Sequence, residues 1–234
     1  MREDIALFVQ FDSGNILGIF LLQGDFKMRN KKLSMLVKTA LLGAIAFVLM
    51  FLEISVPIVP MWLKLDFSDL PALLAGFALG PVSGMIVQVI KVLLFLLFKG
   101  SMSGCIGELG NLLMGISLVL PASLIYARNK SRKNAVIGML VGLVCMTIAS
   151  GLTNYYLLIP VYSKMMGIVA ILNMCKELNP AMDSVAAYCY MAAMPFTALK
   201  AGIDCIVVFL LYKKLSPLLH NDGPKKQHKK AFIQ

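Results

Sequence analysis

Charge is what this sequence has least of. Only 15% of its 234 residues are Asp, Glu, Lys or Arg, against about 25% in a soluble domain, so most of its exterior cannot face water. Histidine is scarcer still, with His220 and His228 both in the polar C-terminal tail. A Ser-His intramembrane protease, a haem held by helix histidines and a histidine-ligated zinc hydrolase all need imidazole among the apolar segments, and all three are excluded. Cysteine is sparse and unpatterned. Cys105, Cys145, Cys175, Cys189 and Cys205 form no C-x-x-C pair and mostly sit in apolar stretches, which excludes a secreted disulfide scaffold and a cysteine metal site alike. A phosphate-binding loop is missing too, since Ile116 stands where the lysine should follow Gly110 and Gly115; the chain cannot hydrolyse ATP by itself.

What is abundant is apolar sequence: 59% of residues are hydrophobic and the mean hydropathy is +0.82. About 20 apolar residues cross roughly 30 Å of hydrocarbon, and that length cuts the chain into spans at about Leu33 to Val56, Cys105 to Ala127, Ala135 to Ile159 and Val185 to Leu215. Asp69 to Lys99 is too long for one crossing and carries Gly80-Pro81 and Gly84 near its middle, so it reads as two spans joined by a tight turn. Backbone groups in lipid must be bonded internally, which makes the spans helices. The expected fold is an all-α integral membrane protein of six transmembrane helices.

The 22 Lys+Arg against 12 Asp+Glu give a net charge of +10, but the basic residues are topological rather than a nucleic-acid surface. Arg29, Lys31 and Lys32, then Arg128, Lys130, Arg132 and Lys133, then Lys213, Lys214, Lys225, Lys226, Lys229 and Lys230 flank the spans. All three clusters fall on one side only if Asp69 to Lys99 crosses twice. Both termini are then cytoplasmic, and Pro57 to Ser68 and Pro160 to Ser184 face outside. Residues 28–215 form the membrane domain and 216–234 a basic cytoplasmic tail. Residues 1–27 lack a full span and a cleavage pattern; they read as an N-terminal extension before a natural start at Met28, or as a segment lying on the membrane surface.

Ionisable side chains inside spans mark function by default. Here they are Glu53, Lys91, Glu108, Lys200 and Asp204, joined by the amide of Asn154. Thr197, Lys200 and Asp204 follow i,i+3 and i,i+4 spacing and share a helix face. Together with Glu108, Asn111 and Asn154 they place a ligand pocket in the extracellular half. The plainer alternative is packing, with Lys200 and Asp204 neutralising each other and Lys91 a second cation nearby; Glu53 then sits at the interface, and Glu108 and Asn111 are either caps or ligands. The loop from Val56 to Phe67, with the single tryptophan Trp62, is apolar enough to be a lid on a flat ligand or an interfacial anchor. Asp69 ahead of Leu70-Pro71 has the order of a helix N-cap. Ala40 and Ala44, small residues one turn apart, offer a face for a partner helix.

The stretches Leu65 to Leu73, Gly80 to Gly84, Gly107 to Asn111, Asn154 to Tyr156 and Pro195 to Lys200, in this order and spacing, resemble the substrate-binding S components of energy-coupling factor (ECF) transporters, and most closely the riboflavin-specific ones. The likeness covers about Met28 to Leu215. It implies a high-affinity riboflavin-binding subunit of a prokaryotic plasma membrane, not an enzyme, with riboflavin as transported substrate and no cofactor or metal. A separate module of two ATPase subunits and a membrane coupling subunit would energise it, docking through Ala40 and Ala44. The substrate-binding set implied is Trp62, Leu65, Asp66, Phe67, Lys91, Glu108, Asn111, Asn154, Thr197, Lys200 and Asp204. One position departs from the family, which carries Asn three residues before the lysine; Thr197 cannot offer an amide's separate donor and acceptor. An S component for another vitamin is the nearest alternative. A lipid-modifying membrane enzyme using Glu108, Lys200 and Asp204 is the alternative of another class.

Overall fold

Long apolar helices dominate the computed structural model, which describes residues 31–57, 59–101 and 104–219. The expected extension at 1–27, both histidines and the tail beyond residue 219 lie outside the described residues. The chain divides into a unit ending at Leu36, of which only the first turns of α1 are described, and a larger one from Val37 onward that holds everything below. In order, the elements are α1 (Lys31–Phe51), the strands β1 (Ile54–Ser55) and β2 (Lys64–Leu65), α2 (Asp69–Leu79), α3 (Pro81–Lys99), α4 (Ile106–Arg128), α5 (Arg132–Thr153), α6 (Ile159–Met166), α7 (Ile168–Leu178), α8 (Val185–Tyr188) and α9 (Met194–Leu219). Single π-helical turns, Asn154–Leu158 and Cys189–Ala193, join α5 to α6 and α8 to α9.

Among the described residues, five stretches are long and apolar enough to cross a membrane: Lys32–Phe51, Pro81–Lys99, Ile106–Arg128, Arg132–Met166 and Val185–Leu211. Of the two spans expected within Asp69 to Lys99, only the second, α3, is long enough to cross by itself. α2 has only 11 residues, which at 1.5 Å each reach about 16 Å of a roughly 30 Å layer. The break itself falls where the sequence puts it. Gly80 sits at φ +106, a region open to glycine and rarely to others, and Pro81 begins α3 where its missing N–H costs nothing.

Small residues then bring the helices together. A Cβ on Gly84 would lie 2.6 Å from Val119 Cγ1 and 3.0 Å from the Ala72 carbonyl oxygen, so α3 closes on both α2 and α4 there. On α5 the spacing Gly138-x-x-x-Gly142 does the same against α4. A Cβ at either position would meet a backbone oxygen, that of Ala122 at 2.6 Å or of Leu118 at 2.5 Å. Around these approaches sits the main core, with Leu73, Val87, Leu118, Val119, Tyr126 and Val208 all sealed from solvent. The opposite faces of the long helices expose Leu97, Phe98, Leu140 and Leu210, as lipid contact requires.

One expected helix end is also corrected. The fifth span does not stop before Pro160, because the helix runs through it to Met166. In the π turn the Ile159 N–H reaches back to the Asn154 oxygen, a wider ring that gives the following proline room where an α-turn would clash. The device recurs at Cys189–Ala193, where the Met194 N–H bonds the Cys189 oxygen just ahead of Pro195. Pro160 to Ser184 is likewise no plain loop, since it contains α7.

Candidate functional site

The segment from Glu53 to Ser68 arches from α1 to α2 as a short antiparallel hairpin, Ile54 opposite Leu65 and Ser55 opposite Lys64. Glu53 fastens its base, accepting from Lys64 at 2.5 Å and from Lys99 at the end of α3. Beyond β2 the chain turns inward. Asp66 is buried, accepts from the Ser68 N–H at 3.0 Å, and takes the Lys200 ammonium at 2.8 Å through its other oxygen.

Asp69 is not the cap expected of it. No side chain caps α2; Asp69 instead accepts from Lys91 at 2.6 Å and Gln88 at 2.8 Å, with Lys200 at 3.4 Å from its second oxygen. Lys91 also donates to Ser68 Oγ at 2.8 Å. Two lysines and two aspartates from the loop, α2, α3 and α9 thus form one buried ion network. The expected Lys200–Asp204 pair gives way to it, because a lysine one turn before its aspartate is the weaker helical order and Asp66 and Asp69 are within reach. Asp204 is fully buried, and neither of its oxygens has a hydrogen-bond partner among the described residues. Burial pushes the Asp66 carboxyl up; the ammonium groups of Lys200 and then Lys91 outweigh that and hold it below the usual carboxylate value.

Above the network lies a cavity of about 460 Å³, within the ~300–1,000 Å³ of small-molecule sites. Trp62, Asp66, Glu108, Asn111, Asn154, Thr197 and Lys200 all line it, so seven of the expected residues converge. Leu65, Phe67, Lys91 and Asp204 do not line it: β alternation carries Leu65 and Phe67 past the wall, and Lys91 is consumed by Asp69 beneath. Residues that the sequence did not single out complete it. Six methionines, Met50, Met61, Met114, Met146, Met165 and Met166, share the lining with Phe95, Tyr162 and Phe196, an adaptable apolar wall suited to a flat ring system.

The polar groups on the wall are held in fixed postures. Trp62 Nε1 donates to Tyr188 Oη at 2.8 Å, and the indole ring packs against Tyr162 and Tyr188. Tyr188 donates onward to Asn154 Oδ1 at 2.8 Å. Asn154 Nδ2 donates to the Ser150 carbonyl at 2.9 Å, and the hydroxyls of Ser150 and Thr197 are 2.8 Å apart. At the far end Ser101 Oγ donates to Glu108 at 2.8 Å, while Asn111 Oδ1 has no hydrogen-bond partner among the described residues and so has acceptor capacity to spare.

Residues 34–212 match the family model of the substrate-specific component of ECF transporters. The chain belongs to this family. Two similar curated relatives are the riboflavin transporter RibU of Staphylococcus aureus (strain TCH60), 35% identical over 198 residues, 85% of this chain and 98% of that protein, and the riboflavin transporter FmnP of Bacillus subtilis (strain 168), 33% identical over 200 residues, 84% of this chain and 100% of that protein. A solved S component of a bacterial ECF transporter superposes with TM-score 0.65 at 34% identity, covering 81% of this chain and 99% of the other. ThiT from Listeria monocytogenes shares the fold at 18% identity and TM-score 0.52. This S component therefore has its polar wall, its apolar lining and its family assignment in one place, around the cavity under Trp62.

Proposed function

We propose that this chain is the riboflavin-binding S component of an ECF-type vitamin importer of the prokaryotic plasma membrane. The observation that carries the reading is the cavity itself: a methionine- and aromatic-rich slot under Trp62, with Asn154, Thr197 and Lys200 along one side and Glu108 and Asn111 at the other, in a chain whose similar relatives are riboflavin transporters. An isoalloxazine ring is flat and largely apolar with carbonyl and imide groups on one edge, which suits the methionine wall and the amide side; the ribityl hydroxyls suit Glu108 and Asn111. The chain crosses the bilayer six times, α2 with the hairpin over it standing as the shortest crossing, and both ends lie in the cytoplasm. The cavity then opens to the outside. Riboflavin is cargo here, not cofactor.

Ala40 and Ala44 are exposed on α1, while Gly43 and Ala46 on the adjoining face pack inward. That outward small-residue face supports docking on the membrane coupling subunit of the ATPase module. Purified full-length chain should come out yellow, and flavin-free chain should quench riboflavin fluorescence to a one-to-one end point. A colourless preparation that leaves the fluorescence unchanged rejects riboflavin. Ala44→Trp should abolish co-purification with the module and leave the quenching intact; loss of both, or of neither, rejects the docking face.

A further inference from the structure

Between the loop and the cavity wall lies a residue that no lining contact includes. Tyr188 is 1% exposed, closes α8 just before the second π turn, and does not itself line the cavity. Its hydroxyl nevertheless joins the two residues there that a flat ligand must meet: it accepts from Trp62 on the loop and donates to Asn154 on the wall, 2.8 Å in each case.

Donor and acceptor chemistry leaves this chain one arrangement. Indole Nε1 only donates, so the phenol oxygen accepts from it. At the other end the Ser150 carbonyl, 2.9 Å from the Asn154 amide, only accepts; it must face the amide nitrogen, and the amide oxygen must therefore face Tyr188. The single phenolic proton completes the bond. Asn154 is thus held from both sides, its oxygen by Tyr188 and its nitrogen by the Ser150 carbonyl. Of its two N–H groups one is held by the Ser150 carbonyl, and the other has only a 3.4 Å approach to Ser150 Oγ, which is already engaged with Thr197 at 2.8 Å. That second N–H is the group a ligand can recruit, so the matching ligand atom is an acceptor.

We propose that Tyr188 is a positioning residue for flavin recognition: by bridging Trp62 to Asn154 it presents the Asn154 nitrogen to a ring carbonyl of the ligand and makes the seating of the loop and the orientation of the amide a single event. The proposal rests on the riboflavin reading for its ligand, but not for the relay. With Tyr188 replaced by Phe the amide oxygen loses its donor, the amide is free to turn, and the indole N–H is left without its acceptor.

A double-mutant cycle in the full-length purified chain tests it, with riboflavin as probe and flavin fluorescence as readout. Tyr188→Phe should weaken riboflavin binding about tenfold. In an Asn154→Ala background the same substitution should change affinity less than about twofold, because the positioned group is gone. Equal losses in the two backgrounds, or no loss in the first, overturn the proposal. Trp62 is the only tryptophan, so its emission reports the relay with no ligand present. Tyr188→Phe should shift that emission maximum, and an unchanged maximum overturns the relay whatever the chain binds. A wild-type chain that fails to bind riboflavin while its emission shifts on Tyr188→Phe would fault the ligand assignment, not the relay.

Discussion

Beyond its base, the loop over the cavity is fastened through Asp66 and through Trp62 by opposite physics. Asp66 is held through a buried ion pair to Lys200 inside a four-charge network, whereas Trp62 is held through a neutral hydrogen bond to Tyr188. The two sites are four residues apart in sequence. A buried charge is expensive to leave alone, so the Asp66 end can open only if the network repacks around Lys200. A neutral bond exchanges readily with water, so the Trp62 end costs less to open. The two fastenings therefore differ in strength, and each can be attacked separately.

Breaking the charged end should have the largest effect. Asp66→Ala takes from the buried Lys200 its hydrogen-bonded carboxylate and leaves it the longer 3.4 Å approach to Asp69, and should lower stability by about 3 kcal/mol, read as thermal unfolding of the purified chain in detergent. Trp62→Phe keeps an aromatic body and removes one neutral bond, for a loss of about 1 kcal/mol. Similar losses for the two substitutions would erase the distinction between the charged and the neutral fastening. The pH dependence sharpens it. The folded Asp66 carboxyl is held below its usual value, so its contribution is fully present above the unfolded value of about 3.9 and is lost only as pH falls through the lowered one. The gap in Tm between wild type and Asp66→Asn should accordingly stay constant from about pH 5 to pH 8 and shrink only in stronger acid. A gap that closes near neutrality would mean that the carboxylate is not held by Lys200.

Next comes the close contact between α4 and α5. Gly142→Ala puts a methyl group against the Leu118 carbonyl, at 2.5 Å from that oxygen. Because the obstacle is backbone, α5 must shift on α4, at about 2 kcal/mol. Gly115→Ala meets only the Gln88 side-chain amide, which can turn aside in part, and should cost less. A reversed order in Tm would show that α4 and α5 are not held by the glycine approach.

How far these features could be read in advance follows from the range over which each is decided. The Gly80-Pro81 break was legible because both of its causes, a positive φ and a missing N–H, belong to those two residues. So was the convergence of Asn154, Thr197 and Lys200, because polar side chains in apolar helices have nowhere else to go. Asp69 was misread as a cap because capping is a local rule, while its actual partner, Lys91, is 22 residues away. The Asp66–Lys200 pair spans 134 residues, and no local pattern announces it. Pro160 looked like a terminator because the π turn that accommodates it has no composition of its own. Tyr188 was passed over since a tyrosine in an apolar helix reads as a hydrophobic body, and only the fold reveals which hydroxyl has two partners.

The smallest effect should come from the cavity wall at Thr197. Thr197 Oγ1 bonds Ser150 Oγ, which itself stands 3.4 Å from the Asn154 amide nitrogen. Thr197→Val keeps the branched shape and removes the hydroxyl, leaving Ser150 with only a 3.5 Å contact to the Ala193 carbonyl and the distant amide. Stability should fall by less than about 1 kcal/mol, since one neutral bond is lost and Ser150 has a second acceptor. Riboflavin affinity should drop about threefold, because freeing Ser150 Oγ lets it compete with the ligand for the Asn154 N–H. Thr197→Asn should move affinity the other way, since an amide restores both a donor and an acceptor to the wall. Equal affinities for the two variants would mean that Thr197 only fills space, and that the cavity grips its guest from the Trp62 side alone.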